Sequence, residues 1–127
     1  MRFLLDTHTV LWAASADPRL SAVAEAALGD PDNELFFSLC SAWEIAIKRS
    51  IGKLRLPIST RAFVGQLQTR GVALVGIHAE HLYDVETLPL HHRDPFDRLL
   101  IAQALSEGLS VLGADDQFDA YGIARVW

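Results

Sequence analysis

The segment "DPFDRLLIAQALSEGLSVLGADD" (residues 94–116) contains one complete helix-to-strand unit, and it indicates the class of the fold. Asp94 is a favoured helix-capping residue, Pro95 suits the first helical position, and Gly108 is typical of the position just beyond a helix. We therefore expect a helix over residues 94–108. The apolar run "SVLGA" (110–114) shows no polar alternation, which predicts a strand that is covered on both faces.

The same alternation of short apolar runs and longer amphipathic runs extends through the chain. Strands are predicted over residues 2–6, 34–39, 72–77, 110–114 and 123–127. Helices are predicted after residue 6 and over residues 21–28, 41–52, 59–71, 78–88 and 94–108. Strands that alternate with helices predict an α/β fold, a three-layer α/β/α sandwich with a central, mainly parallel sheet. Since no linker or internal repeat interrupts the pattern, we expect residues 1–127 to form a single domain.

The composition limits the possible function classes. Half of the 127 residues are hydrophobic, yet no apolar run approaches the length of a membrane span. The first residues, "MRFLLDTHTV", lack the apolar core of a signal peptide, and the single cysteine leaves no internal disulfide to form. We therefore expect a cytoplasmic protein with no membrane association. The net charge of −5 argues against non-specific DNA binding.

One short segment is nevertheless basic. Lys48, Arg49, Lys53 and Arg55 lie within eight residues of one another. The group is compatible with a solvated face and equally with a surface that faces RNA.

Acidic residues follow the predicted strands or open the helices next to them. In open α/β sheets, ligands bind outside the carboxyl ends of the strands, so these positions are candidates for a site. The acidic residues concerned are Asp6, Glu44, Asp94, Asp97, Asp115 and Asp116.

Each acid also has an explanation that needs no ligand. Asp94 is a good helix cap, and an acid at Asp97 would interact favourably with the helix dipole. The stretch "SAWE" predicts a capping box between Ser41 and Glu44. Taken singly, each acid is better explained as a cap than as a ligand, except Asp6, for which the two readings are even.

Considered together, the acids favour a metal site. Several carboxylates at one edge of a sheet would repel one another unless a cation offset their charge. Carboxylate oxygens suit Mg²⁺ or Mn²⁺, and such sites activate water for attack on phosphodiesters. The pattern thus predicts a metal-dependent hydrolase.

Four motifs in order, "LLDTH", "SAWEIAIK", "RDPFDRLLIAQA" and "VLGADDQF", resemble those of the PIN-domain ribonucleases. More narrowly, they are similar to the VapC-type toxins of bacterial toxin–antitoxin pairs, and the resemblance extends over nearly the whole chain. It implies a PIN-like fold and a Mg²⁺-dependent (or Mn²⁺-dependent) endoribonuclease that acts on RNA. It also implies a homodimer and a cognate VapB-like antitoxin, whose C-terminal segment covers the active site.

The resemblance assigns roles to individual residues. Asp97 is preferred to Asp94 as the third acid because it directly precedes the apolar part of the helix. The catalytic and metal-ligating residues implied are Asp6, Glu44, Asp97 and Asp115. Thr7, Asp94 and Asp116 remain as candidate outer-sphere residues.

Two alternative functions compete with this interpretation. A phosphatase of the haloacid-dehalogenase type needs D-x-D-x-T after its first strand, and His8 replaces the second acid in "DTHT". The other alternative is a PIN-like module that binds without cleaving, although a binding module has no need of four grouped carboxylates.

The sequence also indicates positions for four histidines and one tryptophan. His78 and His81 lie at helical spacing, but without further zinc ligands they are expected on a solvated helix face. His91 and His92 precede the acidic helix and could reach a phosphate. Trp43 is expected in the core.

Overall fold

The computed structural model describes residues 1–127 and contains one five-stranded sheet. The strands are β1 (Arg2–Leu5), β2 (Glu34–Ser38), β3 (Ala73–Val75), β4 (Ser110–Leu112) and β5 (Arg125–Val126). Their order is β3-β2-β1-β4-β5, and every neighbouring pair is parallel. The predicted α/β class with a parallel central sheet is therefore confirmed.

Six α-helices connect the strands. They are α1 (Thr7–Ala14), α2 (Ala22–Gly29), α3 (Leu39–Ser50), α4 (Thr60–Thr69), α5 (Ala79–Thr87) and α6 (Pro95–Glu107), and a 3₁₀ helix spans Asp116–Tyr121. The caps predicted for α6 are present, since Asp94 accepts hydrogen bonds from the first turn and Gly108 ends the helix at a φ of 65°. None of the helices combines the length and apolar character needed to cross a bilayer.

The sheet is covered on both faces, which explains its continuous apolar sequence. On one face, Leu4 and Val111 pack with Leu100 and Ile101 of α6. On the other face, Phe3, Leu5 and Phe37 pack with Ile45 of α3 and Phe63 of α4. Full burial of each such side chain contributes roughly 1.5–3 kcal/mol to folding. The two cores define the three-layer sandwich predicted from the sequence.

The start of α3 differs from the prediction. The helix begins at Leu39, and the hydroxyl of Ser38 accepts the Cys40 N–H at 3.0 Å. The predicted strand 34–39 is therefore one residue too long. The predicted capping box of Ser41 and Glu44 is wrong, because both residues lie inside the helix. Ser38, and not Ser41, caps the helix because the chain turns directly from β2 into α3.

Two side chains are placed differently from expectation. Trp43 was expected in the core, but it is 54% exposed and packs edge-on against Phe96 with ring centroids 5.0 Å apart. His81 was expected on a solvated face, but it is 1% exposed, and its Nε2 lies 3.1 Å from the Glu107 carboxylate. The packing of α5 against α6 buries His81, and helical spacing alone does not reveal that contact.

Candidate active site

The topology brings the predicted acids to one edge of the sheet. β2, β1 and β4 are neighbours, and their carboxyl ends lead to Glu44, Asp6 and Asp115 respectively. Helix α6 runs back along the sheet and reaches β4 through a two-residue connection. Asp97, in the first turn of α6, therefore lies at the same edge of the sheet as the other three acids. Asp6, Glu44 and Asp115 each raise the pKa of Asp97 by charge repulsion, so the four carboxylates lie within electrostatic reach of one another. We call this set the acidic cluster.

Asp6 lies at the centre of this edge. It is 5% exposed, and its backbone N–H donates to the carbonyl of Leu112 at 3.0 Å, which ties it to the end of β4. A Cβ atom added at Gly113 would lie only 2.8 Å from the Asp6 Cβ, so the two chain segments are in close contact. Burial raises the pKa of Asp6 to about 6, with a contribution from the negative charge of Glu44 and an opposing one from nearby His8.

Asp97 carries the largest perturbation in the cluster. Burial, together with the charges of Asp6, Asp94, Glu44 and Asp115, raises its pKa to about 8. Asp94 has a different task. Its Oδ1 accepts the N–H groups of Phe96 and Asp97 at 2.9 and 3.0 Å, so it caps α6. The cap fixes the first turn that carries Asp97.

Glu44 lies in the second turn of α3 and is 4% exposed. Its Oε2 accepts a hydrogen bond from Lys48 Nζ at 2.6 Å, and this bond raises the pKa of the lysine. Glu44 and Lys48 lie one helical turn apart, and Lys48 provides the cluster with one fixed positive charge.

Thr7 follows Asp6 and is buried. Its hydroxyl donates to the Ser41 hydroxyl at 2.8 Å, which links the start of α1 to α3. That bond fixes the position of the helix that follows Asp6 relative to the helix that carries Glu44.

The two consecutive acids after β4 are not equivalent. Asp115 caps the 3₁₀ helix by accepting the Gln117 N–H at 2.9 Å, and its charge acts on Asp6 and Asp97. Asp116 is exposed, and its negative charge contributes to the raised pKa of Arg125. Of the pair, Asp115 is the one that belongs to the acidic cluster.

His92 is the component of the site that sequence reasoning did not assign. Its buried ring places Nε2 2.7 Å from Asp115 Oδ2 and 3.1 Å from Asp97 Oδ2. Its Nδ1 accepts the Asp94 N–H at 3.2 Å, so in the neutral ring the hydrogen is assigned to Nε2. His92 therefore donates to the carboxylates and connects two acids of the cluster. The only sequence signal was its place two residues before the cap of α6.

The loop that carries His92 is held by Arg98. The guanidinium group donates to four backbone carbonyls, those of Val85, Leu88, Pro89 and His92, at 3.0–3.3 Å. The hydroxyl of Tyr121 adds a further tie, since it accepts the His92 N–H at 2.8 Å. Arg98 thus fixes the loop from within the same helix that presents Asp97.

Sequence comparison identifies the family. The model of the PIN domain family matches residues 3–124, almost the entire chain. The chain belongs to the PIN-domain family. Ribonuclease VapC22 of Mycobacterium tuberculosis is 31% identical over 128 residues, which cover 98% of this chain and 97% of the relative. The predicted VapC-type membership is therefore confirmed.

Solved structures share the fold of this PIN domain. The structure of VapBC2 from Rickettsia felis bound to a promoter DNA fragment matches with a TM-score of 0.70 at 14% identity, covering 99% of this chain and 98% of the other. VapBC-1 of Haemophilus influenzae gives 0.66 at 18% identity, covering 99% and 97%. FitAcB of Neisseria gonorrhoeae gives 0.55 at 15% identity, covering 100% and 97%.

The donor set of this PIN domain suits a hard divalent cation. All four acids offer carboxylate oxygens, the ligands that Mg²⁺ and Mn²⁺ prefer. Lys48 is the only lysine or arginine that is paired with an acid of the cluster, and burial, together with repulsion between the carboxylates, raises the pKa of Asp6 and Asp97. A cation near Asp97 and Asp115 would also have His92 as a neighbour, since their donor atoms all lie within 4.8 Å. The residues present therefore fit a divalent metal.

Proposed function

We propose that this chain is an endoribonuclease that hydrolyses RNA phosphodiesters with the help of Mg²⁺ or Mn²⁺. The observation that carries the proposal is the acidic cluster, in which Asp6, Glu44, Asp97 and Asp115 meet at the carboxyl edge of the sheet with Lys48 as the only lysine or arginine paired with any of them. The name of the relative VapC22, a ribonuclease, supports RNA as the substrate.

Each residue has a proposed role. Asp6 and Asp97 hold the cation, while Glu44 and Asp115 complete its surroundings or orient the attacking water. A divalent cation bound there would make water a better nucleophile and would stabilise the negative charge that develops on the phosphate. His92 holds the Asp97 and Asp115 carboxylates in place by donating from Nε2.

The candidate outer-sphere residues support this arrangement indirectly. Asp94 orients the first turn of α6 as its cap, and Thr7 fixes the helix that follows Asp6 through its bond to Ser41. Asp116 is exposed and has no bonding partner in the cluster, so we propose at most a peripheral electrostatic contribution from it.

Cleavage of total RNA by the purified protein tests the proposal. We expect discrete fragments with Mg²⁺ or Mn²⁺ and none with EDTA or with the Asp6→Ala or Asp97→Ala variants. Asp32→Ala is a matched control, because Asp32 is an exposed acid in the turn before β2, at the opposite edge of the sheet. Full activity in both cluster variants would refute the site. A folded protein that neither cleaves RNA nor gains thermal stability from either cation would instead be a binding module.

We also propose that the nuclease acts as a cytoplasmic toxin paired with a VapB-like antitoxin. Its structural neighbours named VapBC support this pairing. An antitoxin arginine that reaches the acidic cluster would neutralise it through charge-assisted hydrogen bonds. Co-expression with the product of an adjacent small open reading frame should yield a stable complex that does not cleave RNA.

A homodimer is the assembly that we propose. Leu82 and Tyr83 on α5 are 52% and 61% exposed, which leaves apolar surface for a second copy to cover. Light scattering on the eluting protein should give twice the 14.0 kDa chain mass. A monomeric mass at all concentrations would contradict the dimer.

A further inference from the structure

A groove leads away from the acidic cluster between α1 and the segment that follows α3. Its volume is about 320 Å³, and Thr7 and Glu44 form the wall nearest the cluster. The far wall is formed by residues 53–56, "KLRL". This volume is at the small end for ligand pockets, and the groove suits one extended strand.

The charge of the groove is positive, although the whole chain is negative. Four cationic side chains line it, namely Arg19, Lys48, Lys53 and Arg55. Lys48 is paired with Glu44, and Arg19 is paired with Asp17 at 2.8 Å. Lys53 and Arg55 are exposed and have no ion pair or side-chain hydrogen bond. These two charges are available to a ligand.

The alternation of apolar and basic residues in the far wall explains why Lys53 and Arg55 face outwards. Leu54 and Leu56 are half-buried and pack against the core that contains Phe37 and Ile45. The alternating residues, Lys53 and Arg55, are therefore left on the outside. In an extended chain, alternate residues lie about 7 Å apart, a spacing that suits neighbouring phosphates of an extended strand.

An exposed ring lies between the groove and the acids. The His8 side chain is 56% exposed, and its Nδ1 is 3.8 Å from Asp6 Oδ2. Its ring packs against Trp12 with centroids 5.4 Å apart, and the Arg19 guanidinium covers the Trp12 ring at 4.8 Å. Aromatic surface beside a cationic track is the combination that binds single-stranded nucleic acid.

We infer that this groove binds the single-stranded RNA next to the scissile bond, with Lys53 and Arg55 contacting its phosphates and His8 stacking on a base. The inference rests on the proposed nuclease function and specifies the form of its substrate. The free charges favour a polyanion over an arginine-bearing peptide, which Lys53 and Arg55 would repel.

Fluorescence anisotropy in EDTA measures this binding without cleavage. The probe is a labelled single-stranded oligouridylate of about a dozen nucleotides, within the range of known site sizes. The test variant is Lys53→Gln/Arg55→Gln, and the matched control is Arg70→Gln, because Arg70 is exposed at the far end of α4. All of the substituted side chains are exposed, so equal melting temperatures are expected.

The loss of two phosphate contacts sets the expected result. The double variant should bind about tenfold more weakly at low salt, and its slope of log affinity against log salt should be shallower by about 1.4. Its deficit should therefore shrink about sevenfold between about 50 and about 200 mM salt. The control should match the wild type, and a duplex of equal length should bind more weakly to both.

The outcomes separate this inference from the nuclease proposal. Undetectable binding by the wild type at low salt, or equal binding by wild type and double variant, would overturn the groove even if metal-dependent cleavage is seen. Groove-dependent binding without cleavage in Mg²⁺ or Mn²⁺ would overturn the nuclease and leave the groove in place. A double variant that loses affinity for an acidic peptide but keeps it for the oligonucleotide would assign the groove to a protein partner.

Discussion

Deprotonation of the acidic cluster should destabilise the metal-free protein, and Asp97→Asn isolates the effect. The pKa of Asp97 rises from its usual 3.8 to about 8 on folding, so the folded state binds a proton that the unfolded chain releases. The contribution of Asp97 to the free energy of unfolding is therefore greatest at low pH, and it falls as the pH rises from about 4 to about 8. A bound divalent cation should reverse the loss, because it compensates the ionised carboxylates.

The magnitude follows from the pKa. Each unit of difference corresponds to about 1.4 kcal/mol, so titration between about pH 5 and about pH 9 would span about 4 kcal/mol for Asp97 alone. The Asp97 side chain is 21% exposed, and His92 donates a hydrogen bond to it. Solvent screening and this hydrogen bond both reduce the expected loss of stability. We expect a loss of about 2–4 kcal/mol, which for a chain of this size lowers Tm by about 10 °C.

Thermal unfolding followed by circular dichroism, in EDTA and in Mn²⁺ across this pH range, measures the loss. Asp97→Asn should show a much flatter pH dependence in EDTA than the wild type, and it should gain less from Mn²⁺. Asp32→Asn, in which an exposed acid in the turn before β2 is replaced, should behave as the wild type. Parallel pH profiles of Asp97→Asn and the wild type in EDTA would show that the charge at Asp97 is already compensated and would refute the reasoning.

Two further predictions concern the surroundings of the cluster. Gly113→Ala places a Cβ 2.8 Å from the Asp6 Cβ. The variant should therefore lower the free energy of unfolding in urea by about 1–3 kcal/mol and weaken Mn²⁺ binding. Gly65→Ala is the control, because its added Cβ meets no atom within 4 Å, and it should change neither quantity. His92→Leu removes the donor to Asp115 and should weaken Mn²⁺ affinity about 10-fold to 100-fold by calorimetry. His92→Gln retains an N–H donor and should recover most of that loss, while equal affinities in the two His92 variants would contradict the positioning role.

Much of the fold was accessible from the sequence because its signals are local. Caps such as Asp94, the turn at Gly108 and the apolar runs of the strands act over a few residues, and they placed each element to within about two residues. The start of α3 was misplaced because Ser38 and Ser41 are both capable caps, and the length of β2, which is set by pairing across the sheet, decides between them.

The candidate site was only partly accessible for a related reason. Asp6 and Asp97 could be proposed because the carboxyl edge of a parallel sheet collects whatever follows its strands. The role of His92 depends on a contact with Asp115, which is 23 residues away, and no periodicity reports such a contact. The same holds for the burial of His81 between α5 and α6, since its partner Glu107 belongs to the second of these helices.

The order of the acids along the chain has a consequence for biosynthesis. Asp6 comes before β2 in the chain, whereas Asp115 follows β4, and Leu112 must pair with β1 before its carbonyl can receive the Asp6 N–H. A nascent chain on the ribosome therefore lacks the assembled cluster until residue 115 has been synthesised and has left the exit tunnel. A product that stalls before residue 115 would contain Asp6, Glu44 and Asp97 but would lack both the fourth carboxylate and its contact with His92.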